Sequence, residues 1–226
     1  MPHTLLLRLV GPMQSWGVSS RFTVRDTGRE PSKSGVVGLL AAALGRPRHA
    51  SIADLAALRM GVRVDREGHV AVDFHTALDV IKADGKRAPF PKHPKHTVVS
   101  RRYYLADAAF LVGLESEDLS LLRQLHQALR APVWPLYLGR KAFVPGCPVW
   151  LPDGLQENIP LEKALQTYPL VTSRPGGPRL RLVLEDPRGS IVRPDQPLSF
   201  ADRRFASRRV TMTYITPPSG DSQEGC

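Results

Sequence analysis

The chain has little cysteine, no long apolar run, and fewer acidic residues than basic ones. Two cysteines occur in 226 residues, Cys147 and Cys226. That number is too small for a disulfide scaffold or a four-thiolate zinc site, and Cys147 reads as a buried thiol. The longest apolar stretches, Leu5–Leu7 and Val36–Leu44, fall far short of the roughly 18 residues a membrane-spanning helix needs. The first residues lack a basic region followed by an apolar core and a small-residue cleavage site, so the expectation is a cytoplasmic protein with no membrane partner. No repeat at a fixed period and no heptad pattern is visible.

What is present is a globular composition with one imbalance. Hydrophobic residues make up 42% and charged residues 23%, a balance that neither disordered nor membrane-spanning chains show. Lys and Arg number 31 against 21 Asp and Glu, a formal charge of +10. Such an excess favours polyanionic partners, with nucleic acid ahead of an anionic membrane surface.

Periodicity gives the order of elements. His3–Val10 alternates as a strand and stops at Gly11-Pro12. Gly11–Arg29 has no period and is long for a connector, which marks a binding loop. Val36, Val37, Leu39, Leu40, Ala43 and Leu44 follow helical spacing up to Gly45. A second helix is expected from Ser51 as N-cap to Gly61. Gly61–Arg66 and His69–Leu78 read as a hairpin around Glu67-Gly68. Between Asp79 and Arg102, lysines, arginines and histidines alternate with Pro89, Pro91 and Pro94. That stretch is expected to be either disordered or an arm that orders on a polyanion, and the strands on both sides suggest an extended hairpin projecting from the body. A strand at Tyr103–Leu114, a helix at Glu117–Arg130 and a strand at Val133–Leu138 complete a split βαβ order. The expected fold class is α+β: a ferredoxin-like domain over 1–138 with a thumb insertion at about 79–102, a smaller β-rich lobe over 139–215, and a mobile tail over 216–226. Within the lobe, a helix is expected at Leu161–Tyr168 and strands near Leu180–Glu185, Ser190–Val192 and Arg209–Ile215.

Three clusters could carry chemistry. Thr27–Gly38 places Arg29 and Lys33 before a helix whose first amides lack partners, a ready phosphate site; ordinary capping by Ser32 or Ser34 is the alternative. The same segment approaches the GxxxxGK[ST] nucleotide loop, with Val70–Asp73 as a possible magnesium-binding strand, but the second glycine is missing and no strand directly precedes it. Lys95-His96 has the types a metal-independent ribonuclease requires, a cation and a proton-transfer group, within a proline-broken segment that does little to fix geometry. His93 and His96 lack further ligands nearby, so neither a metal nor a cofactor is expected. Aromatic residues beside arginines, among them Trp16, Tyr103 and Tyr104 near Arg25, Arg101 and Arg102, suit stacked bases with paired phosphates. Of these aromatics, Trp16 is singled out by its glycine-flanked loop.

These segments also form a pattern. V-G-P-M-Q-S-W-G at Val10–Gly17, T-G-R-E-P-S-K-S-G-V-V-G-L-L-A-A-A-L-G at Thr27–Gly45, D-F-H-T at Asp73–Thr76, Y-L-A-D-A-A-F at Tyr104–Phe110, Y-L-G-R-K at Tyr137–Lys141 and F-A-S-R-R-V at Phe205–Val210 together resemble the CasD family. These are RAMP-superfamily subunits of the type I-E CRISPR complex Cascade. The resemblance implies an RRM-related fold with a hairpin thumb and a non-catalytic role capping the 5′ handle of crRNA. It also implies contacts with the terminal backbone subunit and the large subunit, and with target DNA through the assembly. Relatives in type I-C systems cut repeat RNA, which keeps Lys95 and His96 open as an alternative. By motif position and charge, the RNA-binding candidates are Gln14, Trp16, Arg25, Arg29, Lys33, Ser34, His75, Arg101, Arg102, Arg140, Lys141 and Arg208.

Overall fold

The computed structural model describes residues 1–20, 23–78, 98–173 and 175–218. In chain order the first half comprises β1 (His3–Val10), β2 (Met13–Gln14), β3 (Val24–Arg25), α1 (Lys33–Ala43), α2 (Ala53–Ala57), β4 (Arg59–Arg66), β5 (His69–Ala77) and β6 (Val98–Ala106). The second half adds β7 (Ala109–Ser116), α3 (Leu119–Arg130), β8 (Trp150–Gln156), α4 (Leu161–Thr167), β9 (Leu180–Glu185), β10 (Ile191–Ser199) and β11 (Arg204–Ile215).

A seven-stranded sheet runs β10-β11-β9-β4-β7-β1-β8. Its last four strands, with α1 and α3 between them in sequence, give the βαββαβ order and strand arrangement of a ferredoxin-like fold. β1 is an interior strand, between β7 and β8, and both its faces are apolar. Leu5, Leu7 and Leu9 enter the core shared with α1 and α3, while Leu6 enters the core that α4 covers with Leu161 and Leu165. Strand alternation places neighbouring leucines on opposite faces. β9, β11 and β10 extend this same sheet outward from β4, so the C-terminal β-rich region shares a continuous sheet with the ferredoxin-like part.

A second, four-stranded sheet forms the base of the thumb. β5 and β6 pair antiparallel from His69↔Ala106 to Ala77↔Val98. On the other side of β6, β2 pairs antiparallel and β3 parallel. The residues from 79 to 97, including Lys95 and His96, lie outside the described residues.

Several local expectations change. The hairpin expected over 61–78 does not form: β4 lies between β9 and β7, and β5 leaves for the second sheet. The strand expected at Tyr103–Leu114 divides at Asp107, whose φ of 55° turns the chain between sheets; aspartate tolerates that region better than most residues. No strand forms at Val133–Leu138. There the amides of Val133 and Trp134 donate to the carbonyls of Ala43 and Ala42 at 3.0 and 3.2 Å, the latter also accepting the Gly45 amide at 3.1 Å, so the run serves the acceptors at the end of α1. β8 supplies the fourth strand instead. α2 is shorter than expected, with Ile52 at its N-cap position. β10 runs through Pro194 and Pro197, which an edge strand tolerates. Cys147 is buried, as expected.

Candidate nucleic-acid interface

The start of α1 is closed by the protein itself. Ser32 is the N-cap, its hydroxyl accepting the Gly35 amide at 3.3 Å. The Lys33 amide donates to Asp195 Oδ2 at 2.8 Å. The Lys33 side chain turns inward, with Nζ 2.9 Å from both Glu185 oxygens and a relative exposure of 1%. Burial pushes the Lys33 ammonium below its ordinary value, and Glu185 only partly restores it. Arg208 donates to Asp195 at 2.7 and 3.0 Å. Lys33 and Arg208 are therefore internal ion-pair partners, which corrects their expected place on an RNA-binding surface. The aligned peptide dipoles favour an anion at this end, and Asp195 provides it from β10.

Gln14 and Trp16 also lie inside. Gln14 donates to the carbonyls of Leu9 and Ala108 at 3.0 and 2.8 Å and accepts the Trp16 indole N–H at 3.1 Å. Trp16 is 1% exposed beneath α1, where a Cβ on Gly35 would come within 2.9 Å of the ring. The pair fixes the long loop after β1 and leaves neither ring nor amide for a base. Their position in a glycine-flanked loop suggested contact with ligand; burial by α1 and β6 decided otherwise.

The remaining cations gather where the thumb meets the body. Arg25 on β3 and Asp73 on β5 both register with Arg102 on β6. His75 lies two residues along β5, its Nδ1 3.5 Å from Asp73. Arg101, exposed, alternates onto the opposite face opposite Phe74. Arg140 approaches from the loop after α3. Its Nη2 donates to the Tyr103 carbonyl at 2.7 Å and its guanidinium lies 5.4 Å from the Phe143 ring centre. Nη1 of Arg140 is buried without a hydrogen-bond partner among the described residues.

Burial pushes the Arg140 guanidinium below its ordinary value; Arg102 and Arg25 push it the same way, against Asp73 and Asp26. Asp26 offers little compensation because its carboxylate already accepts from Val18 N, Ser19 N, Ser19 Oγ and Ser20 Oγ. Burial raises the Asp26 carboxyl, but those hydrogen bonds prevail and hold it below its ordinary value. Two guanidiniums, those of Arg25 and Arg140, thus border a cleft of about 180 Å³ formed with Ser15, Gly17, Ser20, Asp26 and Gly139, and Arg102 is close enough to Arg140 to repel it. Gly139 has φ 93°, and a side chain there would collide with the Ser15 carbonyl oxygen. Lys141 is exposed beside the cleft. Arg29 is exposed and Ser34 half-buried at the start of α1, the latter's hydroxyl 3.4 Å from that of Ser32.

The arrangement suits one anion between planar donors, since guanidiniums recognise phosphate oxygens through fixed N–H pairs. Periodicity did not reveal Phe143 or Asp26, which help to set the cleft; both act through partners distant in sequence.

The fold is that of a ferredoxin-like, RRM-related protein carrying a hairpin thumb with a cationic base. A model of the family described as CRISPR-associated protein (Cas_Cas5) matches residues 4–211, and the chain belongs to that family. It is 35% identical over 185 residues, 74% of this chain and 78% of the other, to the CRISPR system Cascade subunit CasD of Escherichia coli (strain K12). A solved structure described as a crystal structure of Cas protein superposes with a TM-score of 0.78 at 49% identity, covering 96% of this chain and 98% of that one. A chain of a CRISPR RNA-guided surveillance complex superposes with a TM-score of 0.77 at 36% identity, covering 97% and 95%. No helix among the described residues is long and apolar enough to cross a membrane.

Proposed function

We propose that this chain is the guide-RNA-binding subunit of a Cascade-type surveillance complex, gripping the 5′ handle of crRNA without cutting it. The observation that carries this reading is the convergence of Arg25, Arg102 and Arg140 at the thumb base, in a chain 35% identical to a Cascade subunit. Guanidiniums held near one another in a half-buried cleft repel until an anion neutralises them. A strand of phosphates supplies that anion, while splayed bases and 2′-hydroxyls supply identity. The partners in this reading are the crRNA handle, the terminal backbone and large subunits, and target DNA reached through the assembly, all in the cytoplasm.

The nucleotide-binding alternative is not favoured. It needs α1 amides and a lysine free for phosphates, and Asp195 and Glu185 hold the Lys33 amide and ammonium.

Binding of the full chain to repeat-derived RNA, measured as salt is raised, tests the proposal. Neutralising three phosphates of a single strand gives a log–log slope of about −2, and a flat response contradicts it. The same RNA incubated with the protein in EDTA stays intact; cleavage that His96→Ala abolishes would establish the ribonuclease alternative instead.

A further inference from the structure

Three of the longer strands lie at a sheet edge among the described residues: β8 and β10 in the large sheet, and β5 in the second. An exposed edge carries unpaired amides and carbonyls that template pairing with another chain, and proteins blunt it with proline, charge or bulges. β10 holds Pro194 and Pro197 and shifts register twice against β11. β8 holds Pro152 and Asp153 and shifts register against β1. β5 lacks these devices. His69–Ala77 contains no proline, lysine or glycine and one acidic residue, and its nine residues pair with β6 in unbroken register.

One face of this edge is apolar and open. Val70, Val72, Phe74 and Thr76 alternate onto it, and Phe74 is 68% and Val72 53% exposed. Ala71, Asp73 and His75 take the opposite face, that of Arg102.

The order of these residues is self-complementary. When two copies of β5 run antiparallel about a two-fold axis at Phe74, Phe74 stands opposite its counterpart and Val72 opposite Thr76. Asp73 then stands opposite His75 twice, so each carboxylate meets an imidazole N–H. Aromatic and unlike polar pairs directly opposite stabilise such a ladder, and like charges destabilise it. An axis at Asp73 would set two carboxylates against each other, and one at Val72 would leave Asp73 opposite Ala71 and His75 opposite His69. A foreign strand needs no such symmetry, whereas a closed dimer requires it.

We infer that two copies of the chain pair through their β5 edges, joining the two smaller sheets into one continuous sheet with Phe74 at the two-fold axis. The association needs no RNA and stands apart from the RNA-binding reading above.

The test is sedimentation equilibrium of the full chain without RNA, in about 0.5 M salt, which screens the repulsion between two chains of formal charge +10. A reversible monomer–dimer equilibrium is expected. Val72→Lys places a charge on the edge at an exposed position; it should weaken the dimer roughly tenfold, through two lost cross-strand pairs, at an unchanged melting temperature. Cysteine substitution then reads the register. Phe74→Cys should give a covalent dimer under mild oxidation, because directly opposite Cα atoms lie about 4.5–5.5 Å apart, within reach of a disulfide. Val72→Cys alone should not, but should cross-link when mixed with Thr76→Cys. The wild-type chain, with its own Cys147 and Cys226, is oxidised in parallel as background. A wild-type chain that stays monomeric at its highest soluble concentration overturns the inference and leaves the edge to a strand of another protein. A dimer that Val72→Lys leaves intact, or in which Phe74→Cys cross-links no more than Val72→Cys, overturns it as well.

Discussion

Asp195, on the edge strand β10, accepts the backbone amide of Lys33 at 2.8 Å and so closes the first turn of a helix 162 residues earlier in the chain. The same carboxylate takes two hydrogen bonds from Arg208, and Glu185 holds the Lys33 ammonium. A segment that reads as a phosphate site thus serves to fasten the C-terminal strands onto the ferredoxin-like part.

Removing that fastening should be costly. Asp195 is 2% exposed, and Asp195→Ala leaves Arg208 and a helix amide buried without their acceptor. Breaking a buried pair in this way costs about 3–5 kcal/mol, read as a lower urea midpoint at unchanged slope. A variant as stable as the wild type would mean that the Asp195 carboxylate contributes nothing.

RNA affinity should depend on where a charge sits as well as on how many there are. Replacing Arg25 and Arg102 together by alanine should lower affinity at least tenfold and make the salt slope shallower by about 0.7 for each phosphate no longer neutralised. Arg123→Ala, on the exposed side of α3 where Arg123 pairs with Glu157, should leave both quantities nearly unchanged. Losses proportional only to net charge would remove the thumb base from the interface.

Acid should loosen the C-terminal attachment. Burial raises the Glu30 carboxyl, but Arg181 and Arg193 outweigh it and hold the carboxyl below its ordinary value of 4.5. A carboxylate whose folded value is depressed stabilises the protein fully above its unfolded value, and that contribution disappears as pH falls through the folded value. Stability should therefore decline below about pH 4.5, and Glu30→Gln should be less stable at pH 7 yet lose less on acidification. Parallel acid limbs for the two proteins would exclude Glu30 as a contributor.

The loop that brings Arg140 to the cleft depends on one backbone conformation. Gly139→Ala places a methyl group against the Ser15 carbonyl at a positive φ, a strain of about 1–3 kcal/mol. The melting temperature should fall, and RNA affinity measured well below it should fall too, because Arg140 is displaced. Unchanged affinity in the folded variant would separate the loop from the site.

How much was legible without coordinates differs between elements. The apolar alternation of Leu5, Leu7 and Leu9, the helical spacing from Val36 to Leu44 and the leucine face of α3 are local patterns, and each element formed where its period placed it. The excess of basic residues likewise pointed to a polyanion before any strand was positioned. Pairing was less accessible: His69–Ala77 alternates equally well whether its neighbour is β4 or β6, and the run from Val133 to Leu138 is as apolar as a strand although it caps a helix.

What the sequence determined by itself, then, is the elements with a strong local period, β1, α1 and α3, and the sign of the charge, because each follows from residues close together in the chain. Only the tertiary structure decided which cations face solvent. Lys33 and Arg29 look alike in a short window, but Glu185 and Asp195 draw the first inward while the second stays exposed. Burial of a charge turns on partners brought near by folding, and no local period records them.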